Sequence, residues 1–135
     1  MQVVTLMASN NIYVSFVENQ VVMREKTLEE YLGCPFHLAM NTLEGKWKFA
    51  ILYVLLDKGT LRFKELERAI PDISTRMLVK ELKHLEEKKV VIRKAYATVP
   101  PKVEYSLSEI GKSLSPVIDS ISNWGKSYAT TLPEK

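Results

Sequence analysis

Between residues 46 and 56 apolar side chains occupy nearly every face a helix would have. Trp47, Ala50, Ile51, Val54 and Leu55 fall at helical spacing, and Phe49, Leu52, Tyr53 and Leu56 fill much of the other side. A helix apolar nearly all round is buried on most faces, so this segment is expected to be the central helix of its domain, ended by Asp57-Lys58-Gly59. Upstream, Thr27 with Glu30 three residues on makes a capping box for a short helix that stops at Gly33. Pro35 suits the first turn of a second helix, where its missing N–H has no partner anyway. Phe36, Met40 and Leu43 give that helix a stripe, and Gly45 stops it.

Downstream the period changes several times. Residues 60–63 can form a very short strand, and residues 64–70 a short helix closed by Pro71. Ser74 is a natural N-cap for a helix running to about Glu87, with Met77, Leu78, Leu82 and Leu85 as its buried stripe. Val90-Val91-Ile92 reads as a strand continuing towards Tyr96. Val99-Pro100-Pro101 marks a loop, and Val103, Tyr105 and Leu107 alternate with Glu104 and Ser106 as in a half-buried strand. Ser108 caps a last helix through about Tyr128, with Ile110, Leu114, Val117, Ile118, Ile121, Trp124 and Tyr128 apolar. Pro116 should kink or break it.

Residues 1–26 read less clearly. Ile12, Tyr13, Val14, Phe16, Val17, Val21 and Val22 are β-prone around a possible turn at Glu18-Asn19-Gln20. A short hairpin, a poorly ordered extension and a translation start at Met23 all fit. The expected organisation is an N-terminal extension over 1–26, one domain over 27–130 and a tail over 131–135.

The charge pattern adds the first hint of chemistry. The 135 residues carry a net charge of only +3. Residues 72–102 hold eight cations against four anions, a local surplus of +4, so the rest of the chain is close to neutral. Basic charge gathered in one stretch points to nucleic acid more than the same charge spread evenly. With one cysteine, Cys34, no intramolecular disulfide is possible. His37 and His84 make a poor start for a metal site: the first lies three residues after Cys34 without further ligands, and the second is expected in solvent. No cofactor is expected. No Gly-rich phosphate loop, paired carboxylates or activated nucleophile appears, so no enzyme is expected. No apolar run reaches membrane-spanning length and no secretory signal is evident, so a cytoplasmic location is expected.

Two helices joined by a short turn and followed by a basic hairpin predict a mainly α fold with a small β-hairpin wing, the winged helix-turn-helix. In that reading the helix from Ser74 enters the DNA major groove. Arg76, Lys80 and Lys83 share one face, with Thr75 and Val79 beside them. Arg76 can bond a guanine, Thr75 and Val79 can pack on thymine methyls, and Lys80 and Lys83 can meet phosphates. The wing adds Arg93, Lys94 and Lys102. The competing reading is a solvated helix face on a winged-helix module that contacts other proteins, with Glu81, Glu86 and Glu87 arguing for it.

Several stretches together resemble the HxlR family of bacterial winged helix-turn-helix regulators. They are Cys34-Pro35, Gly45-Lys46-Trp47-Lys48, Arg62-Phe63 with Glu65-Leu66, and Ile73-Ser74 through Met77-Leu78. Leu82 to Leu85 with Glu86, and Val99-Pro100-Pro101-Lys102-Val103-Glu104-Tyr105-Ser106-Leu107 continue the series. Gly111-Lys112-Ser113-Leu114, Pro116-Val117 and Trp124-Gly125 complete it. The resemblance implies a homodimer on a pseudo-palindromic operator of double-stranded DNA, with the first and last helices pairing the subunits. That makes Leu28, Tyr31, Leu32, Ile118, Ile121, Trp124 and Tyr128 candidate interface residues. It also implies that Cys34 can sense oxidants or electrophiles. The alternative for Cys34 is a small buried hydrophobe, and a small-molecule or oxidant effector stays unidentified.

Overall fold

The computed structural model describes residues 5–8, 12–17, 20–25, 30 and 33–134. The chain divides into two compact units, Met1–Thr42 and Leu43–Lys135.

In the first unit, β1 (Thr5–Ala8), β2 (Ile12–Val17) and β3 (Gln20–Glu25) form an antiparallel sheet in the order β1-β2-β3. The β2–β3 hairpin, with Phe16 opposite Val21 and Ile12 opposite Glu25, matches the hairpin pattern; β1 adds a third strand that the sequence pattern had not marked. Helix α1 (Pro35–Leu43) starts at the proline as expected. Its stripe is buried only at Leu43, while Phe36 and Met40 are exposed. Leu28, Tyr31 and Leu32 lie outside the described residues.

In the second unit, α2 (Lys46–Lys58) supplies the fully buried Ile51 and Leu52, with Val54 and Leu55 beside them. It is not buried all round: Tyr53 is 57% exposed. Strand β4 (Leu61–Arg62) leads into α3 (Phe63–Ala69), and the Glu65 carboxylate reaches back to accept the Arg62 N–H at 2.6 Å. Helix α4 (Thr75–Glu87) follows, then β5 (Val91–Tyr96) and β6 (Lys102–Leu107). These strands and β4 make an antiparallel sheet in the order β4-β6-β5. The single last helix expected from the sequence is two helices, α5 (Glu109–Lys112) and α6 (Ser115–Ala129). Pro116 sits in the first turn of α6, where it needs no N–H partner, so it divides the run rather than kinking it.

Leu43, Ile51, Leu52, Leu66, Ile70, Ile73, Leu78, Leu82, Leu85, Val91, Leu107 and Ile118 belong to one core. Each such side chain stabilises the fold by up to about 1.5–3 kcal/mol on burial. Two tight features close it. Lys89 takes the left-handed conformation (φ 62°) after α4, with its N–H bonded to Glu86 O and the Val90 N–H to Leu85 O. Gly111 lies so close to the Val90 carbonyl that a Cβ there would come within 2.3 Å of it.

Candidate nucleic-acid interface

Helices α3 and α4 and the turn between them form a helix-turn-helix. Leu66, Ile70 and Ile73 anchor the turn in the core, and Asp72 makes the reversal at φ 66°. The Ser74 hydroxyl accepts the Met77 N–H at 3.1 Å, the N-cap expected from the sequence. With Leu78, Leu82 and Leu85 fixed inward, helical spacing turns Thr75, Arg76, Val79, Lys80 and Lys83 outward, and all five are exposed. Val79 is 53% exposed, an apolar residue on an otherwise cationic face.

Glu81 sits on the inner side of α4, buried against α2. Its Oε2 lies 2.5 Å from Lys48 Nζ, both side chains being nearly covered. The alignment is that of an ion pair rather than a hydrogen bond, and Lys48 also donates to Glu44 O at 3.2 Å. An anion that counted against phosphate binding is thus neutralised away from the surface. The pairing itself is not readable from the sequence, because contact across two helices has no local signature. His84, expected in solvent, is half-buried with Nδ1 enclosed and unpartnered.

The front of the motif holds a second cluster that the sequence pattern did not reveal. Glu67 on α3 accepts hydrogen bonds from Lys64 Nζ, at 2.7 Å, and from the Thr75 hydroxyl. The Lys64 ammonium, and secondarily the Thr75 hydroxyl, hold the Glu67 carboxyl below the usual carboxylate range.

The wing residues do not act as one group. Register pairs Arg93 with Tyr105, on the face whose Val91, Leu107, Leu61 and Tyr105 meet the core. Lys94 pairs with Glu104 and Tyr96 with Lys102, so those four lie on the opposite face, with Arg62 across from Glu104. There the Tyr96 ring has Lys94 Nζ 5.0 Å and Lys102 Nζ 4.9 Å from its centroid. Lys102 also bridges to Glu104 at 2.8 Å, and this contact chiefly holds the Glu104 carboxyl below its usual range. Of the wing cations, Lys94 and Arg93 are exposed and Lys102 is half-buried.

On α6, Ile118 is a correction to the expected interface: at 7% exposure it belongs to the chain's own core. Ile121, Trp124 and Tyr128 are exposed, and the Trp124 and Tyr128 rings stack with centroids 5.0 Å apart. Between α2, the α3–α4 turn and α6 lies an apolar cleft of about 420 Å³ lined by Phe49, Tyr53, Ile70, Pro71 and Ile121 among others. Cys34 is half-buried at the start of α1, its carbonyl accepting the Leu38 N–H at 3.0 Å. Among the described residues no histidine, cysteine and carboxylate group suited to a metal ion gathers, and no helix is long and apolar enough to cross a membrane.

Three comparisons bear on this geometry. The family profile for HxlR-like helix-turn-helix proteins matches residues 42–132. An HTH-type transcriptional regulator of Methanothermobacter thermautotrophicus, otherwise uncharacterised, is 46% identical over 102 residues, 76% of each chain. Among solved structures, the redox regulator HypR in its reduced form is 41% identical with a TM-score of 0.65, covering 70% of this chain and 92% of that one. The reduced form of the transcriptional regulator YodB from Bacillus subtilis is 36% identical with a TM-score of 0.65, covering 74% and 98%.

Proposed function

The chain belongs to the HxlR-like helix-turn-helix family of transcriptional regulators, and from that premise we propose that it reads a pseudo-palindromic operator as a homodimer. It is a DNA-binding regulator with a winged helix-turn-helix fold, and not an enzyme. The observation that carries the finer reading is the outward face of α4: Arg76, Val79, Lys80 and Lys83 exposed together on a capped helix whose inward charge, Glu81, is neutralised by Lys48. In this reading Thr75, Arg76 and Val79 face the bases, Ser74 caps the helix at the DNA surface, Lys80 and Lys83 meet phosphates, and Arg93, Lys94 and Lys102 of the wing meet the backbone or an adjacent minor groove. We propose a cytoplasmic location, beside the chromosome on which a regulator of this kind would act.

The dimer is proposed from the exposed Ile121, Trp124 and Tyr128 face of α6, with Leu28, Tyr31 and Leu32 as partners near the chain's start. Twofold symmetry would set two α4 helices about one DNA turn apart. Titrating DNA from upstream of the protein's own coding sequence at several salt concentrations tests the reading, because phosphate neutralisation demands a steep loss of affinity with salt. A flat response would mean a protein-contact module instead. Arg76→Ala separates the roles: relaxed sequence preference supports base reading, and uniform weakening means a phosphate contact.

The likeness to HypR and YodB also supports Cys34 as an oxidant sensor, although it lies upstream of the matched segment. With one cysteine per chain, the switch would be an intersubunit disulfide or a mixed disulfide with a small thiol. Release of DNA on oxidation by a Cys34→Ser protein would eliminate that idea.

A further inference from the structure

At the front of α4 both hydroxyl groups are already engaged. Ser74 Oγ accepts the Met77 N–H at 3.1 Å, and Thr75 Oγ1 donates to Glu67 Oε1 across the turn from α3. Glu67 also accepts from Lys64 Nζ at 2.7 Å, so its carboxylate bridges Lys64 and Thr75 at the front of the motif. Threonine in a helix divides between two χ1 rotamers, and a bond to one acceptor selects between them. A hydroxyl bonded to a charged acceptor is not readily given up for a base edge, because such bonds are the stronger kind. The methyl is then the part of this exposed side chain left to meet DNA.

We propose that Glu67 is a positioning residue for sequence reading: by holding the Thr75 hydroxyl, it makes Thr75 an apolar reader whose methyl, and not its hydroxyl, meets the bases. This rests on the DNA-reading role proposed for α4. The base feature that suits a methyl in the major groove is the thymine C5-methyl. Glu67 therefore helps to set a thymine preference without touching the base. Its negative charge also lowers affinity for every sequence alike, since it stands beside the phosphate-facing surface.

The test uses the full-length protein with randomised duplexes, and then with a preferred duplex in which each thymine is replaced in turn by deoxyuridine. For the wild type, one replacement in each half-site should weaken binding by about fourfold, the worth of one buried methyl group. Thr75→Val keeps the methyl and should keep that sensitivity, whereas Thr75→Ser should lose it. Glu67→Gln still offers an acceptor to Thr75, so it should bind all sequences more tightly and retain the sensitivity. Glu67→Ala should bind more tightly but lose it. Melting temperatures of all four variants exclude misfolding as the cause. The proposal is overturned if Thr75→Val abolishes a base preference, because the hydroxyl would then be the reader. It is equally overturned if Glu67→Gln and Glu67→Ala lose the same cytosine preference, which would make the carboxylate a direct reader. Wild-type protein with no base preference at all would instead refute the DNA-reading role itself.

Discussion

Replacing Lys48 or Glu81 is expected to be costly singly and nearly harmless together. Their charged atoms are 2.5 Å apart, and each side chain keeps only about a tenth of its exposure. At an effective dielectric near 20 the attraction is about 7 kcal/mol. Taking both ions out of water costs several kcal/mol each, so the pair contributes little net stability. Removing one partner is different, because the survivor keeps its desolvation without its counter-charge. The usual penalty is about 3–5 kcal/mol, and the residual exposure here places it nearer 2–4 kcal/mol. The two singles should also differ. Glu81→Leu leaves Lys48 with the Glu44 carbonyl at 3.2 Å and a flexible stem that can carry its head outward. Lys48→Met leaves a short carboxylate buried on α4 and should cost more. The double variant should lie within about 1 kcal/mol of wild type, giving a coupling of several kcal/mol. Urea unfolding at pH 7 and one fixed protein concentration measures all four proteins. A coupling below about 0.5 kcal/mol would refute the reasoning, as would a double variant no more stable than Lys48→Met.

Gly111→Ala should destabilise by about 2–4 kcal/mol despite alanine's better helix propensity, since the new methyl meets the Val90 carbonyl at 2.3 Å; an unchanged melting temperature would contradict this. Lys89→Gly should stabilise by up to about 1 kcal/mol, because φ 62° suits glycine and the backbone bonds that end α4 stay intact; denaturant midpoints check it. On the wing, Lys94→Gln should reduce the salt dependence of DNA binding by about one counterion, and Lys102→Gln by less, because Glu104 already holds Lys102 at 2.8 Å. Glu104→Gln should steepen that dependence; a shallower slope would count against the pairing. Glu67 and Glu104 have carboxyls lowered by their lysine and hydroxyl partners. Their contribution is present above the ordinary carboxylate range and is lost as pH falls through their lowered values. Both groups are half-buried and still reached by solvent, so a Glu67→Gln, Glu104→Gln protein should show a slightly flatter acid limb in its melting profile.

Much of this molecule is legible in its sequence because the signals are local. The Ser74 cap, the inward row of Leu78, Leu82 and Leu85, and the alternation from Val103 to Leu107 each depend on neighbours a few residues away. A hydrophobic period implies its opposite, so the outward Arg76, Val79, Lys80 and Lys83 were readable too. Pro116 marked a break, though whether it would bend or divide the last helix depended on how its turn packed. The tertiary structure alone decided what each charge was for. It paired Glu81 with Lys48, turned Glu67 towards Thr75, put Arg93 rather than Lys94 on the core-side face of the wing, and drew Ile118 into the core. An ionic or hydrogen bond between elements depends on distances across the fold, and a one-residue difference in register reverses a side chain's face. Local periodicity carries neither quantity.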